Sequence, residues 1–445
     1  MNGMKSLPST SYLLIVLSFC LTAFQSLASD VPVGHVDPQL QVLVEEALTQ
    51  NAQLQAAESK ASMLLHKVTP ASALADPRLS MSFSSYPVDS QASDEYAMTG
   101  NEVKLEQAFP FPGKLALRGD IAAQQARWYE ASYQDQRGEV VRQVRDLWYQ
   151  LFFLDHALEL VKKNLEVLDQ LTRLSETRFA VGKGKQQDVL RAQLQQSKLT
   201  ERLLSMTQQR EDVRAQLNAV LSREHADFQT SGVDESLSDL PDVDATIEVV
   251  QKQRPLFRAY TALIEQYQST RRLAQRDYYP DLGVWASYRF RDDNLPDGGE
   301  DFVSAGFSFN LPIYLEKRRE AVAGADAGLT MARQQYRELL ERTVSEVRKT
   351  AAALQKYRNL VLLYRTGIIP QAQQSFDAEL SAYQVGNVSF VDLMDSLAGL
   401  YNYQIDYYRA LSGYRRSEAR FIQLTGSEPE VYVKGTSTAG DRTQP

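Results

Sequence analysis

Cysteine is all but missing from this chain. The single one, Cys20, sits in an apolar run from Tyr12 to Phe24 that is preceded by Lys5. One cysteine excludes a disulfide framework and a cysteine-based metal site. The run closes on Ser26-Leu27-Ala28, a small-x-small pattern, and is too short to cross a bilayer as a helix. It reads as a secretory signal peptide cleaved after Ala28. Phe19 stands directly before Cys20, where a lipoprotein signal needs a small residue. Basic excess is missing too: a net charge of -8 argues against nucleic acid as a partner. After Ala28 no apolar run reaches the roughly 20 residues of a membrane helix. The mature chain therefore lies outside the cytoplasm, either soluble or spanning a membrane as alternating strands. His35, His66, His156 and His225 are scattered without metal-ligand spacing. There is no nucleophile elbow, phosphate loop or HExxH, so no catalytic residue, metal or cofactor is expected.

What the chain does have is repetition. Ala75-Asp76-Pro77 and Tyr278-Tyr279-Pro280 each precede an alternating stretch, and Phe109-Pro110 and Leu311-Pro312 close the next one. Phe179-Ala180-Val181-Gly182 with Asp188-Val189-Leu190 returns as Tyr383-Gln384-Val385-Gly386 with Asp392-Leu393-Met394. The spacing between partners is nearly constant, which points to an internal duplication. The reading is a signal peptide over 1–28, a first repeat over 29–241, a second over 242–427 and a polar tail over 428–445. Each repeat has one grammar: helix, two short strands, then a long helical run broken at Val-Gly. An Asp- and Ser-rich stretch over 230–244, with Pro241, links the two.

Strands are predicted at 78–86, 102–109, 281–290 and 302–310. Leu79, Met81 and Phe83 alternate with Ser80, Ser82 and Ser84; Val303, Ala305, Phe307 and Phe309 alternate with Ser304, Gly306 and Ser308. Leu282, Val284, Ala286, Tyr288 and Phe290 oppose Gly283, Trp285, Ser287 and Arg289, and Val103, Leu105 and Phe109 oppose Glu102, Lys104 and Glu106, with Gln107 the misfit. Period two with one polar face means half-buried strands, and runs of about 8–10 residues suit tilted membrane strands. Phe83, Tyr86, Phe109, Phe111, Trp285, Tyr288 and Phe290 are candidates for an interfacial girdle or for core packing. Two isolated hairpins are marginal, and four strands are too few for a barrel, which needs about eight. Several copies pooling four strands each would close one and leave no edge.

The helices are long. From Gly113 to Thr177 there is no proline, a run of about 100 Å at the helical rise. Val140, Val144, Leu147, Leu151, Leu154, Leu158, Val161, Leu165 and Leu168 step alternately by four and three, a coiled-coil seam. Val344, Val347, Ala351 and Leu354 echo it in the second repeat, where Pro370 after Gly367 is expected to kink or break the helix.

Together these features resemble a TolC-type outer membrane factor over nearly the whole mature chain. The most specific piece is Ala382-Tyr-Gln-Val-Gly-Asn-Val-Ser-Phe-Val-Asp-Leu-Met-Asp395. Leu105-Glu-Gln-Ala-Phe-Pro-Phe-Pro-Gly-Lys-Leu115 resembles the heavy-metal branch, the CzcC-like and CusC-like ducts. The resemblance implies a mainly α protein with a membrane β-barrel: a homotrimer in which four strands per subunit form a shared twelve-stranded barrel on a long α-helical coiled-coil tube. It implies an outer-membrane location with the helices in the periplasm, and no enzymatic activity. It further implies the role of passive exit duct in a tripartite efflux system, with a periplasmic adaptor (membrane fusion protein) and an inner-membrane RND-type pump as partners. The implied cargo is heavy-metal cations such as copper and silver or cobalt, zinc and cadmium. Type I secretion and multidrug ducts share the fold. A soluble periplasmic coiled-coil adaptor is the rival outside it, but adaptors carry one hairpin and a β-rich domain rather than this duplicated grammar.

Within that resemblance, Asp392 and Asp395 match aspartates that ring a pore constriction at the periplasmic tip; a capping role at a helix start is compatible with it. Tyr383 matches a tip tyrosine that latches the closed state, and Asp188, the first-repeat counterpart of Asp392, is a further gate candidate. Asn387 stands where members of the family often carry an arginine, which removes one cationic partner of that latch. Gly182 and Gly386, with Val181 and Val385, are assigned to the tip turns and adaptor contact, the glycines permitting positive φ. Lys183 and Lys185 lie beside the first turn. Pro110, Pro112 and Pro312 are read as turning strand into helix.

Overall fold

The computed structural model describes residues 37–230, 235–295 and 297–426. The signal peptide with Cys20, His35 and the tail beyond Gly426 lie outside the described residues. The first repeat runs α1 (Pro38–Gln50), α2 (Ala52–Leu65), the short α3 (Val68–Ser72), β1 (Arg78–Ser84), β2 (Gly100–Phe109), α4 (Lys114–Ala180) and α5 (Gln186–Val220). The second runs α6 (Val243–Gln253), α7 (Pro255–Arg276), β3 (Leu282–Phe290), β4 (Phe302–Phe309), α8 (Leu315–Leu363), a π-helical turn (Tyr364–Ile368), α9 (Ile369–Val385) and α10 (Phe390–Thr425).

The helix starts are written locally. Asp37 caps α1 through Gln39 N–H, and Asp242 caps α6 through Asp244 and Ala245 N–H. Asn51 and Arg254 occupy the matching bends between short and longer helix in the two repeats. With no proline inside it, α4 runs unbroken for 67 residues. Of its expected seam residues, Val140, Val144, Leu147, Leu151, Leu154, Leu158, Val161 and Leu168 are buried, whereas Leu165 is only half-buried and the polar Asn164 before it is buried. Against them pack α1, α5 and α10, while α7 lies along the earlier part of α4. The core is consequently not one body but a string of clusters along α4. One joins Leu40, Val44, Trp148, Leu151 and Leu217; another, at the far end, joins Leu168, Leu171, Leu393 and Leu397. Each fully buried leucine contributes about 1.5–3 kcal/mol.

Two expectations about the second repeat are corrected. Its seam is Thr343, Val347, Thr350 and Leu354, with Val344 and Ala351 only half-buried. Two of the four seam positions are threonines, so an apolar pattern alone misplaces the stripe by one residue. Nor does Pro370 break the helix. The residues before it widen into a π-turn, with Ile369 N–H donating to Tyr364 O, and α9 continues from there. A proline lacks the N–H and crowds the carbonyl four residues back; the wider turn absorbs both effects.

The two hairpins form one antiparallel sheet in the order β1-β2-β3-β4. Register aligns the faces across all four strands: Leu79, Leu105, Ala286 and Ala305 share one row, and Met81, Val103, Tyr288 and Val303 another. This whole apolar face is uncovered, with Met81, Phe83, Val303 and Phe307 among its most exposed residues. The opposite face carries Ser80, Lys104, Ser287 and Ser304 in one row. There Lys104 pairs with Glu106 and lies over the Trp285 ring, and Arg289 pairs with Glu102. The aromatic set divides accordingly. Phe83, Phe109, Tyr288 and Phe290 stand on the apolar face, whereas Trp285 belongs to the polar face and Tyr86 and Phe111 are half-buried outside the strands. Among the described residues the outer edges β1 and β4 are unpaired. Among the described residues no helix is long and apolar enough to cross a membrane.

Candidate functional site

Three places concentrate polar chemistry: the helical tips far from the sheet, the joint between sheet and helices, and the loops at the other end of the sheet. The tips are built by two closely similar turns. Gly182 (φ 75) and Gly386 (φ 88) follow the ends of α4 and α9 in the left-handed conformation, which a side chain would strain. In each turn the glycine N–H and the next N–H close back on the helix: Gly182 and Lys183 on Phe179 O and Arg178 O, Gly386 and Asn387 on Tyr383 O and Ala382 O. This double closure satisfies the orphan carbonyls of a helix end.

Ser389 caps α10, its Oγ accepting from Asp392 N–H and donating to Asp392 Oδ2 at 2.7 Å. Asp392 thus has the capping role. It is also exposed, as is Asp395 one turn on, which makes no hydrogen bond or ion pair with any described residue. Asp188 lies half-buried in the first turn of α5. Val181 and Val385 are exposed beside their glycines, and Lys183 and Lys185 are exposed in the first turn.

Tyr383 stands apart from these, being only 4% exposed. Its ring packs on Phe390 at 5.6 Å within a core that both helical hairpins share. Over the ring, at 4.8 Å, lies the guanidinium of Arg178. Arg178 Nη1 donates to Tyr383 O at 2.8 Å and to Gln384 O at 3.1 Å. Burial pushes the Tyr383 hydroxyl pKa up; Arg178 opposes that and Asp188 adds to it. Arg178 escapes sequence reasoning because its partners lie more than two hundred positions away. The only local hint is a lone cation one residue before the Phe-Ala-Val-Gly motif.

At the joint, Pro110, Pro112 and Gly113 turn β2 into α4. Phe111 stacks on Tyr279 with centroids 4.6 Å apart, and its N–H donates to Asp281 Oδ1 at 2.7 Å. Lys114, 2% exposed, places Nζ 2.9 Å from Asp281 Oδ1, 3.2 Å from Asp277 Oδ1 and 3.2 Å from Tyr279 O. Arg276 closes the cluster on Pro112 O. Burial works to raise the Asp281 pKa, but bonds from Lys114 and Phe111 N–H, with the Lys114 and Arg118 charges, hold it below the usual range. Pro312 sits in the corresponding turn after β4, where Arg318 bridges Tyr314 O at 3.1 Å and Asp277 O at 2.7 Å but, among the described residues, no buried lysine meets carboxylates.

The loops at the sheet's far end are acidic. Asp89, Asp94, Glu95, Asp292, Asp293, Asp297, Glu300 and Asp301 face Arg291 as the one basic residue there. Arg291 ties the two loops together, bonding Asp297 within its own loop and Ala97 O at 2.7 Å in the other. Ser93 adds a second tie to Asp292 at 2.6 Å. Among the described residues no three histidine, cysteine or carboxylate side chains converge as a metal site.

A family model described as outer membrane efflux protein matches residues 43–223 and again 246–427. The chain is 22% identical, over 305 residues, to the cobalt-zinc-cadmium resistance protein CzcC of Cupriavidus metallidurans, covering 67% of this chain and 70% of that one. Its fold is similar to the solved structure of CusC, with a TM-score of 0.77 at 14% identity over 88% of this chain and 93% of that one. It is similar also to the outer membrane channel MtrE of Neisseria gonorrhoeae, with a TM-score of 0.74 at 16% identity over 87% and 89% of the two chains.

Proposed function

The chain belongs to the outer membrane efflux protein family, and from that premise we propose that it is the exit duct of a tripartite efflux system for heavy-metal cations. Three copies pool their strands into one twelve-stranded barrel in the outer membrane, and their helices form a tube reaching into the periplasm. A periplasmic adaptor and an inner-membrane RND-type pump engage the tube; the pump supplies energy and the duct is passive. The observation that carries this reading is the four-stranded sheet with a largely exposed apolar face and, among the described residues, two free edges. Such a sheet is at odds with water and with itself until lipid covers the face and neighbouring copies take the edges.

The similarity to CzcC supports cobalt, zinc and cadmium as cargo. Charge agrees with a cationic cargo at both ends. Asp392 and Asp395, one turn apart and exposed, bring six carboxylates to the tip mouth of a trimer, where their field favours cations over anions. Acidic loops surround the opposite mouth. Tyr383 and Arg178 hold the second tip against the first, and Val181, Gly182, Val385 and Gly386 present the turns to the adaptor.

Deleting the gene from its native host tests the cargo. Sensitivity to divalent metal ions should rise and be restored by the intact gene; loss of tolerance to organic drugs alone would assign a multidrug duct instead. Planar-bilayer recording tests the gate. The Asp392→Asn, Asp395→Asn double variant should lose cation preference in its reversal potential, and unchanged selectivity would leave Asp392 with the helix cap alone.

A further inference from the structure

The four strands carry five charged side chains, all on the polar face, and four of them are matched. Register sorts them into rows: Glu102 and Arg289 beside Ser82, Lys104 beside Ser80 and Ser287, and Arg78 and Glu106 beside Trp285. Glu102 takes Arg289 at 3.3 Å, and Glu106 takes Lys104 at 3.1 Å. The Trp285 ring, 4.8 Å from the Lys104 ammonium, holds that lysine on its seat. The ring in turn covers Gly306 on the next strand, where a Cβ would come within 2.7 Å of Cζ2.

Arg78 is the remainder. It stands across from Glu106 in register, but that carboxylate is engaged by Lys104. The exposed Arg78 side chain makes no hydrogen bond or ion pair with any described residue. Asp76 lies before the strand and does not pair with it. Three cations (Arg78, Lys104, Arg289) against two carboxylates (Glu102, Glu106) leave one positive charge on this face, in a chain whose net charge is -8.

We propose that Arg78 sets the ion preference of the barrel. Three copies place three unmatched guanidinium groups around the lumen at its helix-side end, a positive ring between an acidic tip and acidic outer loops. This rests on the shared-barrel reading, which turns the polar face inward. Neighbouring copies do not cancel the charge, because the other free edge is β4, whose polar face offers Ser304, Gly306 and Ser308. Twelve tilted strands about 4.8 Å apart make a wall on the order of 12 Å in radius. The Debye length is about 10 Å at 0.1 M salt, so the field of inward-reaching arginines fills the lumen; at 1 M it is about 3 Å and the field collapses. The ring favours anions between two mouths that favour cations, so counter-ions accompany the cargo.

Planar-bilayer recording of the full chain tests the ring. Arg78→Gln should raise the cation-to-anion permeability ratio about twofold or more at 0.1 M salt and hardly change it at 1 M. Arg78→Lys keeps the charge and should behave as the parent. On the Asp392→Asn, Asp395→Asn background the ring should appear as an anion preference that Arg78→Gln abolishes. A trimer by light scattering whose Arg78→Gln channels keep the parent ratio at 0.1 M overturns the ring and leaves the shared barrel standing. An equal change with Arg78→Lys overturns it too, since shape rather than charge would then be the cause. A solubilised monomer that opens no channel overturns both the ring and the barrel reading.

Discussion

The two repeats share a grammar and differ in how they finish it. In the first, one helix of 67 residues joins the sheet to the tip without interruption. In the second, the same path takes α8 of 49 residues, a π-turn of 5 and α9 of 17. The first strand exit is locked by a buried lysine, and the second is more exposed, tied only through Arg318 and Asn310. At the tip the first repeat contributes Arg178 and the second receives it, on the carbonyls of Tyr383 and Gln384. The first half thus carries one unbroken helix and a lysine-locked exit, and the second a widened turn, a more exposed exit and the exposed aspartates.

Substitutions at matched positions separate the two arms. The largest effect belongs to the core the two tips share. Leu168→Ala empties a site with no exposure and should cost about 2–5 kcal/mol in denaturant unfolding of the detergent-solubilised protein. Next comes the sealed exit. Lys114→Met leaves Asp281 and Asp277 without their cation, but both carboxylates reach solvent, which limits the loss to about 1–3 kcal/mol. Glu316→Ala at the more exposed exit should change stability by less than about 0.5 kcal/mol. Equal losses at the two exits would erase the distinction between the locked exit and the exposed one.

Arg178→Ala should cost about 1–2 kcal/mol, from two charge-assisted bonds and a cation–π contact at a half-buried site. It carries a pH signature as well. Arg178 lowers the Tyr383 hydroxyl pKa against the upward push of burial, so its removal should move Tyr383 titration to higher pH. NMR of labelled tyrosine would read the shift, and Arg178→Lys should restore most of it. The last effect has the opposite sign. Gly367→Ala in the π-turn meets only Leu363 Cδ1 at 3.8 Å and should stabilise the second arm by about 0.5–1 kcal/mol. Destabilisation there would mean that the wide turn needs its glycine.

The sequence discloses what is periodic and local. Four strands, their faces, the unbroken α4 and the glycine turns can all be read from spacing, because period two, period three-and-a-half and Val-Gly are written in neighbouring residues. The Thr343–Leu354 seam is not legible, since threonine at a buried position reads as polar until a partner helix covers it. Pro370 marks a disturbance but not its kind, because a kink and a π-turn begin from the same residue. Arg178 with Tyr383, and Lys114 with Asp281, are invisible for a different reason. Each pair joins the two repeats, and only the folded chain brings them together. At the tip the motif points to Asp392, Asp395 and Tyr383, yet Tyr383 turns out to be a buried packing residue held by a cation that the motif does not include.

The central claim is that this sheet is one third of a barrel. The direct measurement is the protein mass, by light scattering, of the full chain extracted from outer membranes in mild detergent. The account predicts three copies in one particle. A monomer would contradict it, because the apolar face and the two free edges would then be stable without the neighbours they are inferred to need.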